Sequence, residues 1–175
     1  MEHTRRTVVR AGAWTVPVIA TAAVLPSASA SSTDRPAQLL ITGLNMNGVS
    51  TAGKTIGLRT QFSVQNQYYA PYPAVSATLT SVIATAAFSA NQVTAVAATS
   101  VTGSGWTASA PVSAGGLLTY TFTWTGTAAP GGTTSTLDFQ VALTDSSPGV
   151  RSLTVKATGS NATSDTKVAT YTVPG

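Results

Sequence analysis

Leu118-Thr119-Tyr120-Thr121-Phe122-Thr123-Trp124-Thr125 alternates without a break between a large apolar side chain and a threonine. Successive side chains of a β-strand point to opposite faces, so an unbroken period of two marks a strand with one face buried and the other wet. A helix would scatter the same apolar residues around its axis. Threonine, moreover, suits a pleated, half-exposed surface. The stretch is therefore a strand that turns Leu118, Tyr120, Phe122 and Trp124 into a core.

The same period recurs on both sides of it. Ile56, Leu58, Phe62 and Val64 share one parity, and Arg59, Gln61, Ser63 and Gln65 share the other. Leu137, Phe139, Val141 and Leu143 alternate with Asp138, Gln140 and Ala142, and Leu153 and Val155 alternate with Thr154 and Lys156. Less regular strands are expected over residues 38–44, 74–86, 92–101 and 167–173. Turn-forming clusters separate them: Asn45-Met46-Asn47-Gly48, Ala110-Pro111, Ala129-Pro130-Gly131-Gly132, Ser147-Pro148-Gly149 and Thr158-Gly159-Ser160-Asn161. The pattern predicts an all-β fold, an immunoglobulin-like two-sheet antiparallel sandwich of about seven to nine strands over residues 38–175. Phe122 and Phe139 are expected to face one shared core, with Trp106 and Trp124 inside it.

Ahead of the strands lies a different kind of segment. Arg5, Arg6 and Arg10 precede an apolar run from Ala11 to Leu25, and Pro26-Ser27-Ala28-Ser29-Ala30 supplies small residues. A basic start, an apolar middle and an Ala-x-Ala end are the parts of a secretory signal peptide, expected over residues 1–30 with cleavage between Ala30 and Ser31. The apolar run, interrupted by Thr and Pro17, falls short of the ~20 residues that span a bilayer. Residues 31–37 then read as a short flexible arm. With no hydrophobic tail or sorting motif at Tyr171-Thr172-Val173-Pro174-Gly175, the product is expected to be secreted, extracellular or loosely associated with the cell surface, without membrane insertion after cleavage.

Charge and residue types narrow the chemistry. After the leader, Arg35, Lys54, Arg59, Arg151, Lys156 and Lys167 are scattered among Asp34, Asp138, Asp145 and Asp165. A nucleic-acid reader needs a dense basic stripe, so nucleic acid is not an expected partner. His3 is the single histidine and Glu2 the single glutamate, both within the leader, and cysteine is absent. Acid–base chemistry near neutral pH and nucleophilic triads lean on these residue types, so the domain is expected not to be an enzyme. No cofactor is implied.

Two stretches carry a resemblance. Thr4-Arg5-Arg6-Thr7-Val8-Val9-Arg10 resembles the twin-arginine export motif, which implies export of an already folded bacterial protein; two arginines also serve the general secretory route, and both stay open. Arg59–Asn66, Gly105-Trp106, Leu118–Trp124, Ala129–Gly132, Leu137–Leu143 and Leu153–Asn161 are together similar to bacterial immunoglobulin-like conserved-repeat surface domains. That resemblance implies a structural or adhesive cell-surface module acting by binding or self-assembly. Its partners would be a cell-surface protein, another copy of the chain or a polysaccharide.

The candidate site is the loop Gln67-Tyr68-Tyr69-Ala70-Pro71-Tyr72-Pro73. Tyr68, Tyr69 and Tyr72, stiffened by two prolines, offer rigid apolar faces with polar tips, which suit stacking on sugar rings or packing on a partner. They equally suit capping one end of the core. The alternative function is accordingly a small extracellular carbohydrate-binding module. Lys54, Asn161 and Asp138 have the residue types of a self-formed isopeptide crosslink, but Glu is missing and Asp138 sits on the polar parity, so all three read as solvated. Asp145 and Asp165 are single acids where Ca²⁺ wants roughly six to eight oxygens.

The leader reading has a direct test. N-terminal sequencing of the exported protein is expected to begin at Ser31, and a start before Ser27 overturns it. Loss of export on changing Arg5 and Arg6 to Lys assigns the twin-arginine route; undiminished export assigns the general one.

Overall fold

The pairing of β-strands in this chain is known from a computed structural model, which describes residues 36–67, 77–159 and 162–175. In chain order the strands are β1 (Ala37–Thr51), β2 (Lys54–Gln67), β3 (Leu79–Ser89), β4 (Thr99–Thr102), β5 (Trp106–Ala108) and β6 (Val112–Ala114). They continue with β7 (Leu117–Ala128), β8 (Leu137–Ala142), β9 (Gly149–Gly159), β10 (Ala162–Thr163) and β11 (Asp165–Val173). One sheet has the order β10-β1-β2-β8-β4; the other runs β11-β9-β3-β7-β5, with β6 beside β5 on the same edge of β7. Every described strand pair is antiparallel except β10 with β1. The fold is the immunoglobulin-like two-sheet sandwich that the alternation requires. Among the described residues the count of eleven exceeds the expected range because four strands are stubs of two to four residues; seven longer strands carry the sheets.

β7 lies inside its sheet, between β3 and the β5/β6 edge, and its alternation is fully used. Leu118, Tyr120, Phe122 and Trp124 are buried, while Thr119, Thr121 and Thr123 form part of the outer face. Phe122 meets Phe139 of the opposite sheet with ring centroids 4.5 Å apart, so the two do share one core. Phe62 and Trp106 meet edge to face at 6.2 Å, as do Phe88 and Tyr120 at 6.1 Å. Such tilted and T-shaped contacts add to what burial alone supplies.

Where the sequence pattern misleads, the backbone shows why. The cluster Asn45-Met46-Asn47-Gly48 is not a turn: β1 runs straight through it. A bulge between Thr42 and Asn45, with Gly43 at φ +62°, shifts the parity of β1 there. Leu39 and Ile41 point inward before the bulge and Met46 after it, leaving Asn45 and Asn47 outside. The true reversal is Ala52-Gly53, both at positive φ, as a two-residue type I′ hairpin demands. A second shift between Val49 and Ser50 turns Thr55 inward and leaves Ile56 49% exposed, against its expected burial. Gly48 is glycine for contact, since a Cβ there would collide with the Tyr171 ring of β11.

Three further boundaries differ. Ala37, expected in the arm, is fully buried and pairs with Ala162 in the sheet. The strand expected over 74–86 forms at Leu79–Ser89, and residues 74–76 lie outside the described residues. Of the strand expected over 92–101, Val93 makes one bridge to Leu143 and only Thr99–Thr102 is strand. That segment carries the chain from one sheet to the other, so it cannot stay in either ladder.

Thr60 stands on the inward parity of β2 between Leu58 and Phe62, fully buried, and its hydroxyl has no partner among the described residues. A buried hydroxyl without a hydrogen bond costs stability. Thr60→Val keeps the volume and removes that cost, so chemical denaturation is expected to show a gain of about 1 kcal/mol.

Candidate functional site

Tyr68, Tyr69 and Tyr72 lie outside the described residues, as do Ala30 and Ser31. The base of the tyrosine loop is described, however. Asn66, fully buried at the end of β2, donates from Nδ2 to the carbonyls of Ala77 at 2.8 Å and Ala128 at 3.1 Å. Its backbone N–H donates to Gly132 O at 2.9 Å and its carbonyl accepts from Gly131 N at 2.7 Å. Entry to and exit from residues 68–76 are thereby tied together and to the end of β7.

The most elaborate polar arrangement among the described residues lies on the outer face of the five-stranded sheet. Register aligns Thr99, Gln140, Arg59 and Asn47 in one row across β4, β8, β2 and β1. The next row holds Thr102, Asp138, Gln61 and Asn45. Sheet geometry sets neighbouring strands about 4.8 Å apart and the two rows about 6.7 Å apart. The bulge at Gly43 is what brings Asn45 and Asn47 onto this face.

At the centre, Arg59 Nε donates to both oxygens of Asp138 at 3.0 Å, and Arg59 Nη2 donates to Oδ2 as well. Gln61 Nε2 adds a bond to Oδ2 at 2.7 Å. Asp138 was expected to be solvated; instead its side chain is only 12% exposed, covered by these two neighbours, whereas that of Arg59 is 49% exposed. The hydrogen bond from Arg59 holds the Asp138 carboxyl below its ordinary range, with Gln61 and the guanidinium charge assisting and partial burial opposing. The same pairing raises Arg59. Water screens so exposed a cation, so the pair's main effect is to fix the guanidinium plane.

The other carboxylates are also engaged. Asp145 Oδ1 accepts from Ser147 N at 2.8 Å, from the Ser147 hydroxyl and from Arg151 Nη2 at 3.3 Å, which closes the β8–β9 turn. Asp165 Oδ2 accepts from Ile41 N at 2.7 Å, a backbone donor on the edge of β1. No cluster of three or more metal-ligating acids or histidines occurs among the described residues. Lys54 is exposed at the start of β2, on the rim of a small cleft of about 190 Å³ shared with Ser146, Pro148 and Pro174, and Asn161 lies outside the described residues. Trp106 and Trp124 are core, as expected, and Trp106 Nε1 donates to Ser135 O at 2.9 Å.

The Arg59–Asp138–Gln61 group was not singled out from the sequence. Its trace was there in the wet parity of β2 and β8, where Arg, Gln and Asp stand in place of the threonines of β7.

A pH-dependent contribution from Asp138 follows. Its folded carboxyl titrates below the unfolded value of about 3.9, so its stabilisation is complete above that pH and is lost as pH falls through the folded value. Asp138→Asn is expected to lower the melting temperature by about 2–4 °C at pH 7. The gap from the native protein should narrow in acid as the pH falls through the folded value, and a gap that stays constant down the acid range overturns the assignment.

The chain matches no protein family and no curated protein.

Proposed function

We propose that the chain is a secreted, non-catalytic cell-surface module, structural or adhesive, that acts by binding or self-assembly. The observation that carries this reading is how the described carboxylates are used. Asp138 clamps Arg59, Asp145 closes a turn and Asp165 holds the backbone of β1. A general acid or base has to be free to exchange a proton with substrate, and these groups serve strands and turns instead. What the domain presents outward is area: two sheet faces of mostly neutral polar side chains, and the nine-residue strand β11 at the end of its sheet. Sheet edges add to other chains, and broad faces pack on them. A cell-surface protein, a second copy or a polysaccharide is the kind of partner this surface suits; nucleic acid is not.

The second reading is a carbohydrate-binding module that uses Tyr68, Tyr69 and Tyr72. The tie from Asn66 to Ala77 favours it, because a loop with pinned ends presents its side chains at a lower ordering cost.

Fractionation separates the two. A structural or adhesive module is expected to sediment with cell envelopes or to elute as an assembly; a free monomer with no affinity for envelopes or polysaccharide overturns both readings. Under the second reading, changing all three tyrosines to Ala leaves the melting temperature in place and weakens polysaccharide binding by roughly tenfold or more, the usual effect of losing aromatic anchors. A triple variant that unfolds readily assigns those rings to the core instead.

A further inference from the structure

The rows around Arg59 have a property that their structural role does not need. Asn47 and Gln140 flank Arg59 in one row and Asn45 stands in the next, all on one face, and none of them makes a side-chain hydrogen bond to a described residue. Each amide carries both donors and acceptors in one plane. Arg59 between them is fixed on one side only. Its Nε and Nη2 are taken by Asp138, and Nη1 has no partner among the described residues. The result is a strip of unspent donors and acceptors carried on one sheet face, with the guanidinium at its centre held in place.

Charge identifies the occupant. Asp138 neutralises Arg59, and no other ionisable side chain stands in either row, so the strip has no net charge. An anionic polymer would gain little from a guanidinium already paired, and would meet the Asp138 carboxylate beside it. An apolar partner would have to strip water from the amides without replacing their hydrogen bonds. An uncharged chain rich in hydroxyls meets neither penalty: adjacent hydroxyls both donate and accept, which matches planar amides and a half-used guanidinium.

We infer that the outer face of the five-stranded sheet, centred on Arg59 and flanked by Asn45, Asn47 and Gln140, is a binding strip for a neutral polysaccharide. This rests on reading the chain as a binding module, and it places the sugar contact on the sheet face, apart from the tyrosine loop. Asp138 and Gln61 act as positioning residues that hold the guanidinium flat.

The test is a pull-down of the exported protein on microcrystalline cellulose, insoluble starch, chitin and isolated cell-wall glycan. The native protein is expected to bind at least one of them, with little change between about 0.1 and 1 M salt, since screening at these concentrations removes only ionic attraction. Asn47→Ala with Gln140→Ala should weaken that binding by roughly tenfold, from two lost hydrogen-bonding groups, with an unchanged melting temperature. Gln140→Glu, which keeps the shape and adds a charge, should also weaken it. Thr121→Ala with Thr123→Ala, on the opposite sheet, should leave it intact.

Equal binding by the native protein and both Gln140 variants overturns the inference, as does binding abolished by salt or lost only in the tyrosine triple variant. A native protein that ignores all four polysaccharides yet sediments with protein-bearing envelopes or self-assembles also overturns it, while the module reading stands.

Discussion

Two sheets can close over one layer of side chains only if each long strand keeps delivering side chains to the same interior along its length. In this chain the layer is aromatic at its centre, with Phe122 and Phe139 meeting across the gap and Phe62 and Trp106 beside them. Everything irregular in the sheets serves that requirement. The bulge at Gly43 resets β1 so that Met46 reaches the core, and the shift near Val49 lets Thr55 turn inward where β2 begins. A strand as long as β1, at fifteen residues, twists past its target without such corrections. Gly48 then leaves room for Tyr171, which closes the side of the sandwich where β1 and β11 adjoin.

The second demand comes from chain crossings. β2 to β3, β3 to β4, β7 to β8 and β8 to β9 all change sheets, and backbone that leaves one ladder has to find other partners. Side chains from the strands supply them. Asn66 takes the carbonyls of Ala77 and Ala128, Tyr120 donates its hydroxyl to Thr94 O, and Trp106 donates to Ser135 O. From the β7–β8 connection itself, the Thr134 hydroxyl accepts from Val64 N of β2 and donates to Ser135 O. These ties hold the connecting segments against the core ends without a disulfide, consistent with a chain that has no cysteine.

The strands that could be read directly were those with unbroken alternation: β7, β8, β9 and the middle of β2. Parity there survives because the sheets are wet on one side, so hydrophobicity reports orientation. It failed at β1 and at Ile56, where a bulge exchanges the two faces and a run such as Asn45-Met46-Asn47-Gly48 imitates a turn. It failed over residues 92–101 because a sheet-changing segment is β-rich in composition without staying in a ladder. The polar group on the five-stranded sheet was legible only as separate exposed parities. Its assembly depends on register between β2 and β8, distant in sequence, which single-strand patterns do not encode.

That register also separates the two outer faces by chemistry. On the six-stranded sheet the wet positions of β3, β7 and β9 are largely Thr with Ile83, Ala87 and Lys156, a choice that suits exposed pleated strands and needs no further cause. On the five-stranded sheet the same positions hold Arg, Asp, Gln and Asn. These residues are poorer strand formers, with Asn and Asp among the worst, so propensity argues against their concentration there. Asp138 repays part of the cost through Arg59 and Gln61, but Asn45, Asn47 and Gln140 have no compensating bond within the described domain. The six-stranded sheet shows that threonine was available, so a five-stranded sheet that places amides without protein partners around a clamped arginine departs from local preference where another molecule would exchange its own hydrogen bonds for those to water.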